Sequence, residues 1–144
     1  QQATISARRF FLEGKFGEIY CTESMYHHPG LESLWFEDGK PTWRHGLAPM
    51  NYPTHCTAHL ISVTGERLTE VSCLGWEDRH DDGVFRAGAN LWDNRFSNEV
   101  GLMRTSDGGM MRIGVDVGRR VVSVPKTIIA FIFLMMVNLS NITV

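Results

Sequence analysis

One stretch constrains the fold more than any other, residues 49–66. Pro53 stands where a first-turn proline is tolerated, because the first N–H groups of a helix have no internal partner. Asn51, just before it, is a good N-cap type, and Gly65 after Thr64 is a helix stop. Between these signals Cys56, Leu60 and Val63, spaced four and three apart, share one face that asks for burial. His55 and His59, four apart, share an adjacent face near the N-terminal end. An imidazole in its neutral form there can accept a proton from a hydroxyl, so His55 is a candidate general base.

The flanking stretches have a different period. Residues 17–28 alternate, with Ile19, Cys21, Glu23 and Met25 on one side and Tyr20, Thr22, Ser24 and Tyr26 on the other, which is a strand with one face on a core. Residues 67–76 alternate again. Residues 96–105, a Ser106-Asp107-Gly108 turn and residues 110–115 read as a β-hairpin. Upstream, residues 6–13 form a short amphipathic helix stopped by Gly14, and its pair Phe10-Phe11 is expected to pack on a sheet. Residues 29–50 are broken by Pro29-Gly30, Asp38-Gly39-Lys40-Pro41 and Pro49, and long loops in compact domains tend to be functional. Trp43, Arg44 and His45 within this loop offer an aromatic face, a fork of donors and an imidazole.

At 144 residues the chain is one domain, long enough for a hydrophobic core. A net charge of −2 with interspersed signs leaves no electrostatic footprint for nucleic acid or an anionic membrane. The three cysteines, Cys21, Cys56 and Cys73, are odd in number and widely spaced, as expected for reduced thiols in a cytoplasmic protein. No signal-peptide pattern is read at the start of the sequence. The apolar run at residues 127–137 falls short of the ~20 residues a spanning helix needs, so it is read as a buried strand or helix and no membrane partner is expected.

The run Asn51-Tyr52-Pro53-Thr54-His55, with Trp43-Arg44-His45-Gly46 upstream and Gly65-Glu66-Arg67-Leu68-Thr69-Glu70-Val71 downstream, resembles the Gfo/Idh/MocA oxidoreductases. More narrowly, it is similar to members with a Tyr-Pro-Thr-His segment, including the NAD-dependent glycosidases. The resemblance spans roughly residues 6–115 and fades beyond Val115. It implies a C-terminal α+β domain supplying part of a sugar pocket and the histidine of an Asp-x-x-x-His pattern. That histidine matches His55. The aspartate position holds Asn51, and an amide cannot charge-stabilise an imidazolium as a carboxylate does. The resemblance also implies sugar contacts from Tyr26 and His28, which match a Tyr-x-His arrangement at a strand end.

Each residue has a plainer reading as well. His55 and His59 have the spacing of zinc ligands, but no acidic residue stands between them and metal is not expected. Asp78, Asp81 and Asp82 lack the spacing of an EF-hand loop. Cys56 beside His55 is no evidence of a dyad, since helix neighbours point about 100° apart. Trp43 and Arg44 could equally cover a sheet edge.

The family uses NAD or NADP, yet no strand followed by Gly-x-Gly-x-x-Gly and a helix occurs in this sequence. No cofactor is therefore expected on this chain alone, and a separate Rossmann-domain chain would be its partner. The expected fold is α+β, an open, mostly antiparallel sheet with helices on one face. Residues 1–117 form the family-like domain, and residues 118–144 form an apolar extension packed on it. The expected function is that of a sugar- or polyol-binding domain of an NAD(P)-dependent oxidoreductase, without dehydrogenase activity by itself. His55 and Asn51 stand at the catalytic positions, and Tyr26, His28, Trp43, Arg44 and Tyr52 at the carbohydrate. An open sheet face predicts a homodimer or higher homo-oligomer. Two alternatives stand beside this: a stand-alone interaction or small-ligand-binding protein, and a cofactor-free hydrolase or isomerase pairing His55 with Glu23.

Overall fold

The computed structural model describes residues 2–28, 31–80, 82–118 and 131–138. Helix α1 (Gln2–Leu12) leads into β1 (Glu18–His27), a 3-10 turn at Leu31–Leu34 and a two-residue ladder of β2 (Phe36–Glu37) with β3 (Lys40–Pro41). A second 3-10 turn, Pro49–Asn51, precedes α2 (Thr54–Thr64). Strands β4 (Leu68–Glu77), β5 (Phe96–Thr105), β6 (Met110–Asp116) and β7 (Phe131–Asn138) follow. The main sheet runs β4-β5-β6-β1-β7. Its β4/β5, β5/β6 and β1/β7 pairs are antiparallel, and β1/β6 is parallel. This is the α+β, mostly antiparallel architecture that the alternating stretches predict. Part of the apolar extension forms β7 on the free edge of β1, while residues 119–130 and 139–144 lie outside the described residues.

Helix α2 binds the sheet through the face its spacing selects. Cys56, Leu60 and Val63 are each exposed by 2% or less. Cys56 and Leu60 pack over a layer that includes Tyr26 of β1 and Met111, Ile113 and Val115 of β6. Burying side chains of this size contributes roughly 1.5–3 kcal/mol apiece. The helix ends where Gly65 adopts φ 81° and sends its N–H to the Ile61 carbonyl at 2.9 Å.

Its start differs from the expectation. Asn51 does not cap α2; it closes the separate 3-10 turn, its N–H bonded to the Ala48 carbonyl at 2.9 Å, and Pro53 occupies the N-cap. The physical reason is Tyr52. A residue before proline is pushed out of the α region, and Tyr52 sits at φ −124°, ψ 46°, so the helix cannot begin ahead of Pro53.

Two further expectations change. Helix α1 packs on α2, with Arg8 donating to the Ser62 carbonyl at 2.9 Å, and buries none of its residues. Phe10 meets Phe16 edge-on at 6.4 Å and is not docked on a sheet, because α2 already covers β1 and β6. On β1 the fully buried side is Thr22, Ser24 and Tyr26, and the more apolar side, with Ile19, Cys21 and Met25, is only half-buried. Pairing with β6 fixes this choice, since it aligns Ser24 with Ile113 and Tyr26 with Val115 beneath the helix.

The opposite face of the sheet is uncovered among the described residues. Leu74 is 82% exposed, and Leu102 and Trp76 are exposed beside it. Ion pairs of Arg112 with Glu23 and of Arg104 with Glu70 at 3.2 Å cross this face, each worth about 0–1 kcal/mol at such exposure. Glu23 is thereby turned away from α2, which removes it as an acid partner for His55.

Candidate functional site

The C-terminal end of β1 and the start of α2 bring four of the predicted residues into one aromatic cluster. His55, the second residue of α2, stacks on Tyr26 with ring centroids 4.6 Å apart and planes tilted by 27°. Tyr52 lies 4.8 Å from His55 and 6.1 Å from Tyr26. His28 meets Tyr26 edge-on at 5.6 Å. Burial above all, with Tyr52 and Cys56 nearby, pushes the Tyr26 phenol up to about 12, so it keeps its proton at neutral pH.

Beside this cluster opens a cleft of about 140 Å³, lined by residues that include His28, Trp35, Trp43, Arg44, Tyr52 and Val117. The Arg44 guanidinium lies over the Trp43 ring, 4.2 Å from its centroid. His28 Nδ1 is buried with no hydrogen-bond partner among the described residues, a donor or acceptor held in reserve at the cleft wall. Four predicted contacts, His28, Trp43, Arg44 and Tyr52, therefore share one cavity. Tyr26 is not on its surface: it is buried and forms the layer beneath His28 and Tyr52. His55 is half-buried and stands one ring behind the cleft, next to Tyr52. Asn51 is exposed on the 3-10 turn. His45 leaves the predicted trio altogether, buried with its ring 4.9 Å from Phe36 and 6.5 Å from Trp35.

What holds the Trp43–Arg44 segment in place comes from residues 84–94, where the sequence offers no motif. Trp92 Nε1 donates to the Trp43 carbonyl at 2.8 Å, and Asn94 Nδ2 donates to the Gly46 carbonyl at 3.1 Å and to Phe96 O at 2.8 Å. Asn90 binds both ends of its own loop. Its Nδ2 donates to Val84 O at 2.8 Å and Asn94 O at 2.9 Å, and its Oδ1 accepts from the N–H of Trp92 at 3.1 Å and of Asn94 at 3.0 Å. Gly46 lies against this side chain at φ 72°, and a Cβ there would come within 2.4 Å of Asn90 Cγ. Only glycine meets both demands.

A second unforeseen support is Glu99 of β5. Its Oε2 accepts the Met50 N–H at 2.6 Å, tying the 3-10 turn that carries Asn51 and Tyr52 to the sheet. Burial raises the Glu99 carboxyl pKa, opposed by that hydrogen bond. A lone Glu in an alternating strand carries no sign of such a role.

Among the described residues no group of three or more His, Cys, Asp or Glu side chains is placed to hold a metal ion, and Asp81 of the acidic loop lies outside them. No helix among them is long and apolar enough to cross a membrane.

No protein-family model matches the sequence, and no curated protein sequence matches it. Solved structures do match. An oxidoreductase domain protein from Kribbella flavida superposes with a TM-score of 0.63 at 15% identity, covering 94% of this chain and 37% of that one. Myo-inositol dehydrogenase from Lactobacillus casei, in complex with NAD(H) and myo-inositol, gives a TM-score of 0.60 at 11% identity over 95% of this chain and 34% of the other. Scyllo-inositol dehydrogenase from the same organism, with NAD(H) and scyllo-inositol, gives 0.55 at 18% identity over 81% and 32%. This chain spans about a third of the length of these structures, and its fold is similar to one domain of inositol dehydrogenase-like oxidoreductases.

Proposed function

We propose that this chain is a polyol-binding domain of an oxidoreductase of the Gfo/Idh/MocA type. The observation that carries the reading is the convergence of His28, Trp43, Arg44 and Tyr52 on one small cleft with His55 directly behind Tyr52. Fold alone would not suffice, because one fold hosts many functions.

The chemistry of the cleft suits a neutral polyhydroxylated ring. Trp43 offers a half-exposed face to C–H groups, the Arg44 fork donates to hydroxyls, and the buried His28 Nδ1 takes up one more. His55 stands one ring behind the cleft with its imidazole plane fixed by stacking on Tyr26, so it backs the Tyr52 wall against which the ring would bind. Binding a neutral polyhydroxylated ring is the chemistry that these side chains would supply.

Isothermal titration with myo-inositol and D-glucose tests this. Binding should be seen and should be weakened by Trp43→Ala and by His28→Ala while the melting temperature holds. Binding unchanged in both variants would refute the assignment of the cleft.

A further inference from the structure

A second cavity, of about 350 Å³, opens near the same end of the sheet and is lined by Trp76, His80, Ser97, Asn98, Asp116 and Gly118. Its residues come from a row that crosses the strands. Trp76 of β4 is paired with Asn98 of β5, Asn98 with Asp116 of β6, and Asp116 with His27 of β1. Alternation makes the two cavities back to back, since His27 and Asp116 sit on the open face while Tyr26, His28 and Val117 serve the other.

Each member is set for contact with a ligand. Trp76 is half-exposed, and His80 stands 6.1 Å from it, ring edge to ring. Asp78 Oδ1 holds His80 from two directions, accepting its backbone N–H at 2.8 Å and binding ring Nδ1 at 2.6 Å. Burial works against the Asp78 charge, but hydrogen bonds from Ser97 and His80 outweigh it and keep the carboxylate below its usual range. Ring Nδ1 therefore donates to the Asp78 carboxylate, which fixes the orientation of the imidazole beside Trp76. One Asp116 oxygen accepts the Gly118 N–H at 2.9 Å, and the other lies 3.5 Å from His27 Nδ1. Asn98 is half-buried in the same lining.

From this juxtaposition of a half-exposed indole with Asn98, Asp116 and His80, we propose a second ligand site on the open face, for a neutral pyranose ring. Indole faces stack on the C–H side of a sugar, while amide, carboxylate and imidazole address its hydroxyls. The Asp116 carboxylate in the lining selects against a sugar phosphate. The site does not depend on the cleft at Trp43, and neither needs the other to be correct.

The test follows the four Trp indole N–H signals by NMR, assigned by single Trp→Phe substitutions, while methyl α-D-glucopyranoside or methyl β-D-galactopyranoside is added. The Trp76 signal should shift saturably in the native chain and equally in Trp43→Ala, which impairs only the other cleft. Asp116→Asn should weaken this binding about tenfold to a hundredfold, the scale of a hydrogen bond to a charged group, with the melting temperature monitored. Should that variant unfold, Trp76→Phe provides the second arm: ring-proton shifts of the introduced phenylalanine would replace the lost indole signal, at somewhat lower affinity. A Trp76 signal that ignores both glycosides overturns the proposal, as does an equal response to glucose 6-phosphate. A Trp76 shift that depends on protein concentration alone, showing the face covered by a second copy, overturns it too.

Discussion

Replacing Gly46 by alanine should separate the loop that carries Trp43 and Arg44 from the residues that hold it. Two costs add. The φ of 72° is a left-handed conformation that costs a residue with a Cβ about 1–2 kcal/mol. The new methyl would also stand 2.4–2.5 Å from three atoms of the Asn90 side chain, a distance at which something must move. Asn90 cannot yield freely, because it makes short hydrogen bonds to Val84 O, Asn94 O and the N–H groups of Trp92 and Asn94. Losing one or two of these leaves buried groups unpaired, at about 1–3 kcal/mol. The expected destabilisation is about 2–5 kcal/mol, read as a fall in the urea midpoint at constant slope. Gly39→Ala is the internal control. Its φ is 73° but nothing lies within 4 Å of the added methyl, so only the backbone cost of about 1–2 kcal/mol remains. Asn90→Gly, which removes the Cβ at 2.5 Å along with Cγ and Nδ2, should cost less in the Gly46→Ala background than in the native one, giving a coupling energy in a double-mutant cycle. Equal midpoints for Gly46→Ala and Gly39→Ala would refute the claim that Asn90 and Asn94 clamp the segment carrying Trp43 and Arg44.

Three other outcomes follow from particular residues. Leu60→Ala, at a side chain 1% exposed between α2 and the sheet, should cost about 2–5 kcal/mol in urea unfolding. Glu99 should make stability depend on pH: its raised pKa keeps it protonated in the folded chain where the unfolded chain has already lost the proton. Stability should therefore fall as pH rises from the ordinary carboxyl pKa to the raised one, and Glu99→Gln should flatten that slope in a pH series of melts. A slope unchanged in the variant would show that another group is responsible. Finally, Cys73 is exposed, whereas Cys56 is fully buried with its thiol near the Gly114 carbonyl and its pKa raised by burial. Alkylation followed by mass spectrometry should mark Cys73 in the folded protein and Cys56 only on unfolding.

The sequence made some of this legible and hid the rest for identifiable reasons. Periodicity located β1, α2, β4 and the β5–β6 hairpin, because half-buried elements must repeat at two or at 3.6 residues. It could not say which side of β1 faces the helix, since that side is Thr22, Ser24 and Tyr26 and the less apolar of the two. Pairing with β6 made the choice. The Asn51-to-His55 run misled at the helix start, where Tyr52 before proline displaced the cap by two residues. Trp43, Arg44, His28 and Tyr52 line one cleft because two elements and one loop end together. Asn90, Asn94 and Glu99 escaped notice because their roles arise from contacts across 44 or more residues in the case of Gly46 and 49 in the case of Met50, for which short-range spacing carries no signal.

The claim at the centre is that a polyol sits against His28 and Tyr52 with His55 behind. Histidine-ring NMR signals, followed while myo-inositol is added, test it most directly. His28 and His55 should move along one saturation curve that Trp43→Ala displaces to higher ligand concentration. Signals of His28 and His55 that stay still at saturating ligand, whatever else in the chain responds, would contradict it.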